Sequence, residues 1–264
     1  MINFIVTCGT SQIERKKLGV IGLSDFEADT LITNLEECQL DTMQDQAFEY
    51  SLNSIVDSLL RRVQLLETTI GTDENPFGAE FSTLHVIMDQ DHTGDRKAFS
   101  ILSSDTGKGV FCARILQSLL IRHYAIDPGE INILRVPGLK EDPNGQNEIE
   151  NLMHNLLDKI SDSLVNNNSR MVDNVIVMTG GFKSVIPCLT LVATLFGLEM
   201  VYLFEHSQHI QKLMPMINLS EKKMRQKWID NWNDVMRGGK VNEKSWMYQL
   251  IRIRNERKDE VFYS

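Results

Sequence analysis

The sequence VIVMTGGFKSVIPCLTLVATLFGLEMVYLFE (residues 175–205) contains two short apolar segments separated by a glycine turn and a longer apolar segment. A short, continuous apolar segment bounded by turn residues is typical of a strand that is buried on both faces. The turn Thr179-Gly180-Gly181-Phe182-Lys183 follows the first of these strands, and residues 184–197 are long enough for a helix. The order strand, helix, strand predicts a βαβ unit in a parallel sheet.

The same alternation extends over most of the chain. Strands are predicted at residues 2–7, 98–102, 131–136, 172–178 and 200–204. Helices are predicted at residues 25–38, 44–68, 108–123, 146–165 and 184–197, with loops at 73–78 and 89–95. We therefore predict an α/β, Rossmann-like fold with a mostly parallel sheet and helices on both faces. Residues 25–80 are long for one connection, and we expect an insertion there that covers the ligand cleft.

The charge distribution divides the 264-residue chain, whose net charge is −9, into two parts. Residues 221–264 contain 11 lysines and arginines against seven acidic residues, whereas the remainder is strongly acidic. We predict a domain over residues 1–218 and a helical appendage over 219–264. The Gly238-Gly239 break in the appendage fits either a helix-turn-helix or a helical element that covers a dimer interface. The net charge argues against a protein that coats nucleic acid along its whole length.

Cysteine use and hydropathy indicate the compartment. The four cysteines (Cys8, Cys38, Cys112 and Cys188) form no C-x-x-C pair, and buried, reduced thiols in a cytoplasmic protein are expected. The apolar part of the N-terminal segment MINFIVTCGTS is too short for the apolar region of a signal peptide. The longest apolar stretch, residues 185–198, contains Pro187 and fits a buried helix better than a membrane span. No membrane contact is expected.

Polar turns that contain glycine follow three of the predicted strands. They are CGTS (8–11), SSDTG (103–107) and TGGFK (179–183). In open parallel sheets, ligands bind beyond the carboxyl ends of the strands, and such turns offer N–H groups and hydroxyls to anions. None matches the dinucleotide or P-loop fingerprint. The residues alone therefore predict an α/β protein that binds an anionic ligand, with Lys183 as the only cation in the turns.

These segments resemble the CARF (CRISPR-associated Rossmann fold) family, in the subgroup that carries TGGFK before a YxFE-like strand, here residues 202–205. The GTS turn, the SSDT turn and the VPGL turn (136–139) also fit, and the similarity covers about residues 1–218. The resemblance implies a homodimer that binds cyclic oligoadenylate across its two-fold axis. It also implies that some members only sense the ring, whereas ring nucleases cut it by attack of a ribose 2′-hydroxyl on the phosphodiester, without a metal or other cofactor.

The resemblance assigns catalysis to Ser11 and Lys183, where Ser11 orients the 2′-hydroxyl or a phosphate oxygen and Lys183 neutralises the phosphorane. The predicted ligand-binding residues are Gly9, Thr10, Ser11, Gln12, Ser104, Asp105, Thr106, Thr179, Gly180, Gly181, Phe182 and Lys183. A purely structural role stays open for three of these residues. Ser11 could cap the turn or helix after the first strand, Lys183 could be an exposed lysine in the first turn of a helix, and Phe182 could pack in the hydrophobic core. For Asp105, we expect a helix cap rather than a catalytic base.

A metal site is not expected. The only histidine pair with a spacing found in metal sites is His206 and His209, which could join Asp89, Asp91 and Asp95 of the 89–95 loop. We favour the interpretation that this loop is simply exposed to solvent. There is also no Arg-x4–6-His ribonuclease motif, and the appendage is short for an enzyme domain. We therefore predict a ring nuclease that acts on cyclic tetra-adenylate and ends signalling. The alternatives are a non-cleaving sensor or transcription regulator whose basic tail contacts DNA, and a subunit that binds the ring without cutting it.

Overall fold

The computed structural model describes residues 1–37, 46–70, 72, 75–91, 93–139, 146–167, 173–178, 185–203 and 209–213. The strands are β1 (Ile2–Cys8), β2 (Lys97–Ser104), β3 (Ile131–Val136), β4 (Asp173–Met178), β5 (Glu199–Leu203) and β6 (Ile210–Leu213). The α-helices are α1 (Arg15–Val20), α2 (Asp25–Glu37), α3 (Gln46–Leu60), α4 (Leu66–Thr69), α5 (Gly78–Gln90), α6 (Gly107–Tyr124), α7 (Gln146–Asn167) and α8 (Ile186–Phe196).

The strands form one six-stranded sheet in the order β3-β2-β1-β4-β5-β6, and all pairs are parallel except β5 with β6. The predicted α/β, Rossmann-like fold is therefore confirmed. The chain moves outward from β1 to β2 and β3 and then returns to place β4 on the other side of β1. The topological switch point consequently lies between β1 and β4, which is where open α/β sheets bind ligands.

One face of the sheet is covered by the helices between β1 and β3. Phe4, Val6 and Cys8 of β1 belong to a buried core cluster with residues of α1, α2, α3, α5 and α6. The long connection between β1 and β2 thus forms a helical layer on the sheet. Leu59 of α3 and Phe77, just before α5, are buried in this layer, so the insertion at residues 25–80 contributes core rather than only surface.

The opposite face of β1 carries a buried polar network. Asn3 Nδ2 donates to Asn174 Oδ1 of β4 at 2.9 Å, and the Ser100 hydroxyl of β2 donates to Asn3 Oδ1 at 3.3 Å. The Ser163 hydroxyl of α7 lies 2.8 Å from the Ser100 hydroxyl. Because α7 is the crossover from β3 to β4, the network joins three strands to the helix that reverses the strand order.

Four elements differ from the predictions. α1, α5 and the antiparallel edge strand β6 were not predicted, and the predicted helix 44–68 is divided into α3, a 3-10 turn at residues 63–65 and α4. α5 is buried along most of its length, from Phe81 to Val86, so it lacks the polar stripe that identifies an amphipathic helix. The predicted loop at 89–95 therefore begins within the last turn of α5.

Several predicted features lie outside the described residues. These are the turn Thr179–Lys183, Cys38, His206 and the whole appendage from residue 219 onward. The other three cysteines are buried free thiols, as expected. Within the described ranges, no helix has both the length and the apolar character that a membrane crossing requires.

We expect Asn3→Ala to lower the free energy of unfolding by about 1–3 kcal/mol, because the substitution removes the two side-chain hydrogen bonds that join β1 to Asn174 of β4 and to Ser100 of β2. Urea unfolding followed by circular dichroism measures the change. Asn53→Ala, at an exposed position of α3, serves as the control and should shift stability by less than about 0.5 kcal/mol. Equal stability of the two variants would contradict a stabilising role for the network.

Candidate functional site

The strand order brings the polar turns to one edge of the sheet. Gly9–Gln12 follows β1, Ser104–Thr106 ends β2, and β4 ends at Met178, immediately before Thr179. β1 is paired with both β2 and β4, and Cys8 lies opposite Ser103. The carboxyl ends of parallel strands in register meet at the same edge, so the first two turns are neighbours and β4 ends beside them at Met178. The third turn, residues 179–183, lies outside the described residues.

The first turn presents the hydroxyl of Ser11. Thr10 is the N-cap of a 3-10 turn at Ser11–Ile13, and the backbone oxygen of Ser11 accepts from the N–H of Glu14 at 3.3 Å. Within the described part of the chain, the Ser11 hydroxyl makes no hydrogen bond, and the residue is half-buried. Ser11 therefore caps neither the turn nor α1, and its hydroxyl is free to contact a ligand.

A buried carboxyl group lies directly beneath this turn. Glu80 of α5 is 0% exposed, and its Oε1 accepts from the N–H of Gly9 at 2.9 Å. Burial raises the pKa of Glu80, while the N–H groups of Gly9 and Glu80 and the positive charge of Lys17 offset this effect only in part. The Gly9 N–H thus points into the protein and not toward the space above the sheet.

Gln12 also points inward. Its side chain is buried, and Nε2 donates to the backbone oxygen of Phe77 at 3.0 Å. Gly78 makes this contact possible: a Cβ at that position would lie 2.8 Å from Gln12 Cγ and 3.1 Å from Glu80 Oε2. Gly78 also has a φ of +75°, a conformation that favours glycine. The start of α5 and the first turn are therefore packed as one unit.

The second turn is held by hydroxyl groups. The hydroxyls of Ser104 and Thr106 lie 2.8 Å apart, and Thr106 Oγ1 accepts from the N–H of Gly109 at 3.2 Å. Thr106 is the N-cap of α6, and the first turn of α6 contains no acidic residue. The positive end of the helix dipole is consequently open to an anion at the edge of the sheet.

The prediction that Asp105 caps α6 is wrong. The helix begins at Gly107, so the cap is the immediately preceding residue, Thr106. Asp105 is exposed beside the cap, and its predicted contact with the ligand stays a prediction, with a role as a base as the alternative. Lys108, in the first turn of α6, forms an ion pair with Glu36 of α2, and it adds a cation that the sequence motifs did not indicate.

The aspartate loop at the other end of the sheet is stabilised internally. Asp91 Oδ2 lies 2.6 Å from Lys97 Nζ, and its Oδ1 accepts from the Thr93 hydroxyl at 2.8 Å. The bonds with Lys97 and Thr93 lower the pKa of Asp91 to about 2. Among the described residues, no three His, Cys, Asp or Glu side chains are grouped closely enough to hold a metal ion.

Glu80 is the site residue that the sequence analysis missed. A glutamate in the first turn of a helix is ordinarily an exposed residue that favours the helix dipole. Its burial depends on α5, which was not predicted, and on a contact with Gly9 across 71 positions of the chain. The one available signal was Gly78 two residues earlier, since an isolated glycine before an apolar helix indicates a close approach.

We expect Gly109→Ala to destabilise the protein by roughly 1–3 kcal/mol, because its new Cβ would overlap Ser104 Oγ and lie 3.1 Å from the Ser104 backbone nitrogen. Thermal unfolding measures the loss. The double variant Ser104→Ala/Gly109→Ala removes the overlapping oxygen and should recover part of it. No recovery would mean that the close approach of α6 to the end of β2 does not cause the loss.

Comparison with known proteins identifies a family for this chain. The family model described as "CRISPR-associated protein (Cas_APE2256)" matches residues 75–217, which is just over half of the chain. The matched region runs from the start of α5 to beyond β6 and contains the second and third turns together with Glu80. No curated protein matches the chain. The match over this length shows that the chain belongs to the CRISPR-associated Cas_APE2256 family.

Proposed function

We propose that this protein is a ring nuclease: it binds cyclic oligoadenylate, of which cyclic tetra-adenylate is the predicted form, at the carboxyl edge of its sheet and cleaves it. The observation that carries the proposal is the strand order β2-β1-β4, which places the turns after β1 and β2 at the same edge of the sheet as the carboxyl end of β4. Membership of a CRISPR-associated family is consistent with a ligand of this kind. The resemblance of TGGFK and the YxFE-like strand to CARF ring nucleases supplies the finer assignment.

The turns suit a phosphodiester ligand. The N-terminus of α6 carries a partial positive charge, its cap Thr106 is exposed, and Ser11 adds a hydroxyl that makes no hydrogen bond among the described residues. A net charge of −9 does not oppose the binding of a small anion, because the local potential at the site decides its affinity. Lys183, in the turn that follows β4, supplies the cation of the proposed site.

Cleavage requires that the ribose 2′-hydroxyl is positioned in line with the scissile bond and that the charge on the phosphorane is stabilised. The ribose 2′-hydroxyl gives up its proton to solvent as its oxygen bonds to the adjacent phosphorus, and the bond from phosphorus to the 5′-oxygen breaks. The 5′-oxygen takes up a proton from solvent, and a 2′,3′-cyclic phosphate forms with no net proton change. Ser11 holds the 2′-hydroxyl or a phosphate oxygen for in-line attack, and Lys183 neutralises the charge that develops on the phosphorane. We propose that the protein acts as a homodimer, since a symmetric ring then meets the same turns from each protomer.

A cleavage assay tests the activity. Wild-type protein incubated with radiolabelled cyclic tetra-adenylate in EDTA should yield linear di-adenylate with a 2′,3′-cyclic phosphate end. We expect Ser11→Ala to slow cleavage by about 100-fold through lost positioning. Lys183→Ala should slow it by about 100- to 1,000-fold through lost charge stabilisation. Thin-layer chromatography separates ring from products.

The matched controls are Ser54→Ala, at an exposed position of α3, and Lys212→Ala, on the edge strand β6 with 68% of its side chain exposed. Both should cleave at the wild-type rate. Tight binding with an intact ring over hours would overturn the nuclease assignment in favour of a sensor, for which the basic tail provides the output. No binding of the ring would overturn the proposed ligand.

The dimer is tested separately. One chain has a mass of 30.2 kDa, and light scattering at micromolar protein concentration should give about twice this value. A monomeric mass, both with and without cyclic tetra-adenylate, would contradict a cleft shared by two protomers.

A further inference from the structure

We propose that Glu80 is a positioning residue that holds the Gly9–Gln12 turn as a neutral carboxylic acid, and that loss of its proton weakens ligand binding at that turn. The first part of this proposal concerns the protein alone. The second part rests on the proposed function, because it concerns the ligand of the turn.

The hydrogen bonds around Glu80 favour the neutral acid. Glu80 Oε1 accepts from the Gly9 N–H, whereas Oε2 has no partner among the described residues. Gln12 Nε2 donates to the Phe77 carbonyl and is not available to Glu80. Gln12 Oε1, like Glu80 Oε2, accepts no hydrogen bond among the described residues. A carboxylate would leave two buried acceptors without a donor, which is costly.

The two unpartnered oxygens belong to neighbouring side chains. A Cβ on Gly78 would lie 3.1 Å from Glu80 Oε2, 2.8 Å from Gln12 Cγ and 3.5 Å from Gln12 Nε2, so both side chains surround the same point. A proton on Glu80 places a donor in the buried space where both unpartnered oxygens lie. The neutral acid then binds Gly9, the first residue of the turn, and lies beside the side chain of Gln12, the last.

The surroundings do not provide a partner that would keep Glu80 charged. The groups that act on it are Cys8 of β1, Glu14 before α1, Lys17 of α1 and Cys112 of α6. Burial raises the pKa of both thiols, so they stay uncharged, and the effects of Lys17 and Glu14 oppose each other. No described ion pair involves Glu80, and burial raises its pKa above the ordinary value of 4.5.

The consequence for pH follows from the sign of this shift. Above pH 4.5 the unfolded chain has lost the Glu80 proton while the folded protein retains it, so stability falls as pH rises toward the folded pKa. A negative charge beneath the turn also repels the phosphates of a bound ring. Both effects disappear in Glu80→Gln, whose amide oxygen accepts from Gly9 and whose amide nitrogen carries a donor in place of the acid proton.

Urea unfolding of wild type, Glu80→Gln and Glu80→Ala between pH 5 and 9 tests the first part. The unfolding equilibrium constant of wild type relative to Glu80→Gln should rise with pH by up to tenfold per unit until Glu80 titrates. Glu80→Ala should be less stable than Glu80→Gln at every pH, or fail to fold. Glu14→Gln, which removes an exposed carboxylate beside the turn, should stay parallel to wild type.

Two outcomes would show that Glu80 is not a neutral acid. One is that the unfolding equilibrium constants of wild type and Glu80→Gln change in parallel with pH. The other is that the unfolding equilibrium constant of Glu80→Gln is at least tenfold larger than that of wild type at every pH, as expected if a charged carboxylate binds Gly9.

The second part of the proposal is tested by measuring the affinity for cyclic tetra-adenylate. Affinity should fall with pH in wild type more steeply than in Glu80→Gln, and equal pH profiles would overturn this part. If no variant binds the ring, the proposed function fails, and the unfolding curves still decide the charge of Glu80.

Discussion

The pairing of β1 on both of its edges is the constraint on which the structure depends. β2 lies on one side and β4 on the other, and all residues from Asn3 to Gly9 are buried. Helices cover one face through an apolar cluster, while Asn3 anchors the other face to β2, β4 and α7. A strand that is enclosed in this way fixes where its carboxyl end emerges, and with it the position of Gly9–Gln12.

The candidate site follows from that position. The turn after β1 has the end of β2 on one side and the end of β4 on the other, which is the arrangement expected at a switch point. The buried network beneath it, from Gly9 to Glu80 and from Gln12 to Phe77, fixes the backbone so that Ser11 keeps its hydroxyl free. Rigid support of this kind is what catalysis by positioning requires.

The parts of the fold that follow from local patterns were predictable. Strand β3 was predicted with its observed bounds, and α6 and α7 were predicted to within two residues at each end, because their apolar spacing is regular. Ser11 and Thr106 were selected since they follow strands. Glu80, Gly78 and α5 were not, because their roles arise from a contact with Gly9 and Gln12 that no local pattern encodes. Edge strand β6 is short and half polar, so it carries little signal.

The enclosure of β1 also determines when this protein can fold during synthesis. Asn3 is synthesised 171 positions before its partner Asn174. At typical translation rates, the edge that β4 finally covers stays open for roughly 10–30 s. Contacts this distant in sequence slow folding and expose an apolar strand to wrong partners in the meantime. The strand that organises the sheet is thus made before both of the strands that pair with it, and its enclosure is completed only after β4 has been synthesised.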